Sequence, residues 1–183
     1  MTDLAAKRLE LMHQFNLARS NLAALYNPGE PSTKFEMEQT EAGARAIRVK
    51  LQRLSATQPS ELDQLFASAA QENAGGVIVF THGFAEFYRR NIIEAAALHR
   101  MPTMYGWRDF VAEGGLMSYG PNVQTLVRNA AGYVDRILRG EKPGDLPMQQ
   151  PARFELVINL KTAKALGLEF PPTFLARADE VIE

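Results

Sequence analysis

Gly75-Gly76-Val77-Ile78-Val79-Phe80, running directly into Thr81-His82-Gly83, is the stretch on which the fold turns. Val77 to Phe80 is a continuous β-branched and aromatic run, which suits a strand covered on both faces, since a strand with one wet face would alternate. Such a strand calls for helices above and below it, and the flanks supply them. Upstream, Leu62, Leu65, Phe66, Ala69 and Ala70 recur at helical spacing after Pro59-Ser60-Glu61-Leu62-Asp63. There Ser60 suits an N-cap and Asp63 the positive end of the helix dipole. Downstream, Phe84 to His99 reads as a helix and Met101 to Tyr105 as the next strand.

The alternation continues in both directions. Asp3 to Phe15 reads as a helix, Asn21 to Tyr26 as a buried strand stopped by Asn27-Pro28-Gly29, Ser32 to Ala46 as a helix, and Arg48 to Leu54 as a half-exposed strand. Beyond Tyr105 come one or two helical turns from Arg108 to Glu113, a strand from Leu116 to Tyr119, and a helix from Asn122 to Arg139. Val123, Leu126, Val127, Ala130, Val134, Ile137 and Leu138 line one face of that last helix, and Gly140 closes it. Lys142-Pro143-Gly144-Asp145-Leu146-Pro147 and Pro151 form an extended connector. Phe154 to Leu160 is strand-like, Lys161 to Leu168 helical, and Pro171-Pro172 opens the tail. Strands and helices alternating in this way make a parallel α/β sheet.

Composition narrows the function classes. A chain of 183 residues with 46% hydrophobic residues can bury a real core. The net charge of −1, with basic residues scattered along the chain, provides no footprint for phosphate backbones, so nucleic acid is not an expected partner. With no cysteine there are no disulfides, thiolate metal sites, cysteine nucleophiles or lipid-modified cysteine. The N-terminal Met1-Thr2-Asp3-Leu4-Ala5-Ala6-Lys7-Arg8 has no uninterrupted apolar stretch of the export-signal kind, and no segment reaches the roughly 20 apolar residues that span a bilayer. The expectation for the chain as written is a soluble, unexported protein. Signatures of nucleotide-binding loops, serine hydrolases and paired-histidine zinc sites are missing. No cofactor, metal or catalytic residue is expected.

Parallel α/β folds gather ligands at the carboxyl ends of their strands. Three such ends carry polar or aromatic residues: Asn27, Thr81-His82-Gly83 and Tyr105-Gly106-Trp107. At Thr81 two readings stand: a hydroxyl and an imidazole facing a cleft, or Thr81 capping the next helix with His82 as an exposed turn residue. Trp107, the sole tryptophan, suits either stacking on a ligand ring or covering the edge of the sheet. Glu86, Asp109 and Glu113 lie on helix surfaces near arginines and are assigned no chemistry. His13 and His99, in amphipathic helices, read as structural.

The most distinctive run is Glu113-Gly114-Gly115-Leu116-Met117-Ser118-Tyr119-Gly120-Pro121, followed by Ala131-Gly132-Tyr133-Val134-Asp135 and by Gly140-Glu141-Lys142-Pro143-Gly144-Asp145-Leu146-Pro147. The series continues through Gln150-Pro151-Ala152-Arg153-Phe154-Glu155-Leu156-Val157-Ile158-Asn159 to Arg177-Ala178-Asp179-Glu180. In this order it resembles the substrate-binding proteins of ABC importers, of the tryptophan and tyrosine type, and Lys7 to Leu11 and Leu25 to Pro28 extend the resemblance toward the start of the chain.

The resemblance implies a type I periplasmic binding protein lacking most of its N-terminal lobe: a parallel-sheet, three-layer flavodoxin-like lobe with a C-terminal strand-helix extension. It divides the chain into a lobe at 1–113 and, at 114–183, a crossover helix and extension that would normally complete the other lobe. It places Asn27, Thr81, His82, Gly83, Tyr105, Gly106, Trp107 and Ser118 against the solute. Where the family commonly has an acidic residue this chain has His82-Gly83, a departure that bears on recognition of an α-amino group. The implied partners are a small organic solute, such as an aromatic or other amino acid, and ABC transporter permease subunits; the implied compartment is the periplasm, although the chain as written would be cytoplasmic. An apolar helix face at Val123 to Leu138 without its usual sheet favours a homodimer. Alternatives are a self-associating sensor with a vestigial pocket, and a small enzyme using His82 with Thr81 or Tyr105.

Overall fold

The computed structural model describes residues 3–15, 21–151 and 153–183; Met1-Thr2 and the Ala152 of the quoted series lie outside them. In chain order the elements are α1 (Asp3–Phe15), β1 (Asn21–Tyr26), α2 (Pro31–Ala46), β2 (Lys50–Ser55), α3 (Leu62–Gln71), β3 (Val77–Val79), α4 (Gly83–Phe87), α5 (Arg89–Leu98) and β4 (Thr103–Tyr105). They continue with α6 (Arg108–Ala112), β5 (Met117–Pro121), α7 (Val123–Leu138), β6 (Phe154–Asn159), α8 (Leu160–Leu166), α9 (Pro172–Leu175) and β7 (Glu180–Ile182).

One seven-stranded sheet in the order β2-β1-β3-β4-β5-β6-β7 holds them together. The neighbours from β2 through β5 are parallel, β6 is antiparallel to β5, and β7 is parallel to β6. The order 2-1-3-4-5 is that of flavodoxin-like sheets. The pleat sorts each strand between two cores. Leu22, Ala24, Ile78, Phe80 and Met104 join Leu9 and Met12 of α1 and Met37 of α2, while Ala23, Leu25, Val77, Val79 and Tyr105 join Phe66 of α3, Ile92 of α5 and Phe110 of α6. Helices on both faces are what the uninterrupted run at Val77 requires.

Several local expectations change for identifiable reasons. The strand expected from Arg48 starts at Lys50, because Arg48 takes φ 59° and the Val49 amide still bonds back to the Ala44 carbonyl, closing α2. Glu61, not Ser60, organises the start of α3: its carboxylate accepts from the amides of Thr57 (2.7 Å) and Gln58 (3.1 Å) around a 3₁₀ turn at Pro59–Glu61. The helix expected over Phe84 to His99 breaks at Tyr88, whose φ −102° and ψ 27° are not helical. The tail adds β7, held by Asp179, which exchanges backbone and side-chain hydrogen bonds with Leu156 at 2.9 Å.

A division at Glu113–Gly114 falls between α6 and β5 of this one sheet, with Gly114 turning the corner at φ 112°. The strands β5, β6 and β7 complete the sheet that β1 begins. What remains outside its core is α7, which buries none of its residues, and the connector that follows. Val127 is 64% exposed and Leu138 81%. The connector covers part of the helix, where Leu126, Ala130 and Tyr133 face Pro143, Pro147 and Met148 across a hollow of about 430 Å³.

At the carboxyl ends of β4 and β5 the backbones approach so closely that a Cβ on Gly120 would collide with the Gly106 carbonyl oxygen. Gly120→Ala is therefore expected to cost at least about 1–3 kcal/mol of stability. Gly132→Ala in α7, where nothing lies within 4 Å, should cost nothing; urea denaturation of both variants separates the two cases.

Candidate functional site

In a 2-1-3-4-5 sheet the crossovers change direction between β1 and β3, and the gap beyond their carboxyl ends is where open α/β sheets hold their ligands. On one side is the turn after β1. Asn27 is half-buried, and its Oδ1 accepts from the Gly29 amide (2.8 Å) while its carbonyl accepts from the Glu30 amide (3.2 Å) and the Thr33 hydroxyl (2.8 Å). Its side chain thus serves the turn that starts α2 at Pro31. On the other side, after β3, Thr81 donates its amide to Glu36 Oε2 (3.1 Å) and accepts on Oγ1 from Arg8 Nη1 (3.0 Å).

The next residue departs from the second of the two sequence readings. His82, not Thr81, caps α4, with Nδ1 accepting from the Ala85 amide at 3.3 Å, and it is 7% exposed instead of being a free turn residue. Acceptance at Nδ1 puts the proton on Nε2. Among the described residues that buried Nε2 has no hydrogen-bond partner. Burial pushes the His82 pKa down, against the opposing field of Glu30, so the ring is a neutral donor. Gly83 leaves room for Glu30, whose Oε1 lies 3.2 Å from where a Gly83 Cβ would be.

Beneath these residues is a buried ion pair that sequence reasoning missed. Arg8, 4% exposed on α1, bonds through Nη1 to Glu36 Oε1 of α2 (2.7 Å) and through Nε to the Tyr119 carbonyl of β5 (2.8 Å). Burial drives the Arg8 pKa down and the Glu36 pKa up, and their mutual attraction opposes both shifts. The signal was present in the spacing: Arg8 falls on the stripe Ala5-Arg8-Leu9-Met12 and Glu36 on Thr33-Glu36-Met37-Thr40, both otherwise buried. Two opposite charges on the inward faces of successive helices must meet.

Thr81 and Gly106 meet around Arg8, since a Cβ on Gly106 would lie 2.5 Å from Thr81 Oγ1 and 3.0 Å from Arg8 Nη2. Asn27 and His82-Gly83 flank the same gap. Tyr105 and Ser118 do not join them through their side chains. Tyr105 is wholly buried, its ring stacked on Phe110 at 4.5 Å, because the pleat turns it to the α5–α6 side. Its hydroxyl makes no full hydrogen bond, and burial pushes its pKa up, with only Thr103 near enough to ease the shift. Ser118 is 1% exposed, paired with Tyr105 on one side and Val157 on the other. Trp107 is half-buried against the α3–α6 core. Glu86 and Glu113 are bridged by Arg89 at 3.1 and 2.6 Å. Among the described residues no group of three or more His, Asp or Glu could hold a metal ion. A hollow of about 750 Å³ lies elsewhere, between α1, the end of α2, Tyr119 and Gln150-Pro151.

Residues 2–182 match the sequence profile of the ABC transporter substrate binding protein family. The chain belongs to this family. A curated relative, the tyrosine-binding protein of Clostridioides difficile, is 22% identical over 163 residues, 89% of this chain but 47% of the relative. Among solved structures, a conserved domain protein from Vibrio cholerae superposes with TM-score 0.86 at 25% identity, covering 97% of this chain and 60% of the other. An ABC domain from Streptococcus pneumoniae in complex with L-Trp superposes with TM-score 0.83 at 21% identity, covering 97% and 62%. This substrate-binding family member thus spans about half the length of the curated relative and about three fifths of these structures.

Two outcomes follow from the buried charges. Arg8→Met or Glu36→Gln alone should destabilise the fold by about 3–5 kcal/mol by stranding the partner, whereas the double Arg8→Met, Glu36→Met variant should recover most of the loss in urea unfolding. His82 has a folded-state pKa held below its ordinary 6.5, so its contribution is complete above that value and is lost as pH falls from 6.5 through the folded value. The stability of His82→Gln should therefore depend less on pH across that window than that of the parent.

Proposed function

We propose that this chain is the solute-contacting lobe of a binding protein serving an ABC importer, and that it holds a small organic solute, an amino acid foremost, without transforming it. The observation that carries the reading is the unpartnered, buried Nε2 of His82 at the strand gap. A buried donor left unpaired costs about 1–3 kcal/mol, and a ligand oxygen would recover it. Solute contacts are assigned to Thr81, His82, Gly83 and Gly106, with Trp107 at the rim and Asn27 shaping the turn opposite. The curated relative's name and the L-Trp bound in the Streptococcus structure support an amino acid as the solute class.

Binding without catalysis suits the neighbourhood of His82. Its Nδ1 accepts a backbone amide, Thr81 Oγ1 takes its hydrogen bond from Arg8, and the Tyr105 hydroxyl is shut in the core. No nucleophile and base are therefore paired among them. The permease partner and the periplasmic compartment come with the family reading. The exposed apolar residues of α7 support a second lobe as its cover, consistent with relatives whose chains are longer; a second copy of this chain is the rival cover.

The reading is tested by thermal denaturation and light scattering of the chain with a panel of aromatic and branched amino acids. At a ligand concentration 100 times Kd, stabilisation should be about 2.7 kcal/mol, with no chemical change in the ligand. A stable dimer that no amino acid stabilises would favour the self-associating reading, and turnover of any panel member would overturn binding without catalysis.

A further inference from the structure

We propose that Glu30 and His82 form the polar end of the solute site, taking a primary ammonium group next to an oxygen acceptor. The inference rests on the strand-end crevice being the solute site. It begins with the charges gathered there. The Arg8 guanidinium is engaged by Glu36 at 2.7 Å and by the Tyr119 carbonyl at 2.8 Å, so the two buried charges cancel. Glu30 is different. Its backbone takes part in the turn into α2, but among the described residues its half-exposed carboxylate has neither an ion pair nor a hydrogen bond. Lys34, one helical turn onward, is exposed and does not bridge to it.

That carboxylate sits over Gly83, 3.2 Å from the missing Cβ, beside an imidazole whose Nε2–H has no acceptor. One residue type accepts and carries a full negative charge; the other donates and stays neutral. A ligand satisfies both only if a cationic donor and an oxygen acceptor are adjacent within it, as in the headgroup of an α-amino acid. A carboxylate without an amine would meet the uncompensated charge of Glu30, and an amine without a carboxylate would leave the His82 donor unpaired. Gly83 keeps the approach open, since any side chain there would press on Glu30. The carboxylate sits on the opposite wall from the His82-Gly83 position, which itself offers no acidic group.

The experiment is an amide NMR titration of the 183-residue chain with L-tryptophan, tryptamine and indole-3-propionate, which share a ring and differ only in the headgroup. Expected are shifts at Thr81 to Gly83 with affinity falling from L-tryptophan to tryptamine to indole-3-propionate, the last at least ten-fold weaker than the first. Glu30→Gln should lower the affinity for L-tryptophan about ten-fold and remove its advantage over indole-3-propionate, with the thermal midpoint of the free protein unaltered. His82→Gln should weaken L-tryptophan more than tryptamine. If the probes shift these resonances but indole-3-propionate binds as well as L-tryptophan, or Glu30→Gln changes nothing, the subsite is wrong while the crevice stands. If no probe shifts them, the crevice reading fails and the subsite with it.

Discussion

The contact between Arg8 and Glu36 is the point to which the rest of this lobe is tied. It joins α1 to α2, and through Thr81 and the Tyr119 carbonyl it also joins the ends of β3 and β5. Burying two charges is expensive, and hydrophobic replacements in such sites are often neutral or better for stability. What the pair adds is geometry. Thr81 receives a donor on its hydroxyl and an acceptor on its amide, which fixes the chain direction immediately before His82. The close passage of Gly120 over Gly106 follows from the same convergence of strand ends. The strand ends of the candidate site are therefore held from beneath by the buried faces of α1 and α2.

The fold was legible wherever one element's own pattern decided it. Val77 to Phe80 announced a doubly covered strand, and the five parallel strands with helices on both faces bear that out. What escaped were features decided between elements. Neither Arg8 nor Glu36 declares itself singly, and only their joint position on two inward stripes reveals them. Glu180 to Ile182 is too short to declare itself a strand until Asp179 docks on Leu156. The break at Tyr88 splits one apolar pattern without a proline or glycine to mark it.

The candidate site divides on the same line. The rule that ligands gather beyond strand ends picked out Thr81, His82, Gly83 and Gly106 as candidates, and the structure brings these four to one gap. It does not say which way the Tyr105 side chain points, because being last in a strand does not fix the side of the sheet, and the pleat sent that ring into the core. It could not find Glu30, which comes from the helix start facing β3 across the gap and not from the strand end itself. The alternative reading of Thr81 as a cap is reversed at the start of α4, where the imidazole accepts the amide that a threonine hydroxyl would have taken.

The antiparallel pairing of β5 with β6 brings Pro121 opposite Phe154, and the Asn122 amide still bonds to the Arg153 carbonyl at 3.3 Å. Everything from α7 through the connector therefore leaves and rejoins the sheet at one doorway. An excursion anchored in this way is nearly free to vary: doubling the length of a flexible loop raises its closure cost by only about 0.6 kcal/mol. The sheet can keep its register while whatever lies outside the doorway is lengthened, reshaped or exchanged, so the exposed face of α7 and the strand ends around Arg8 can change independently of each other.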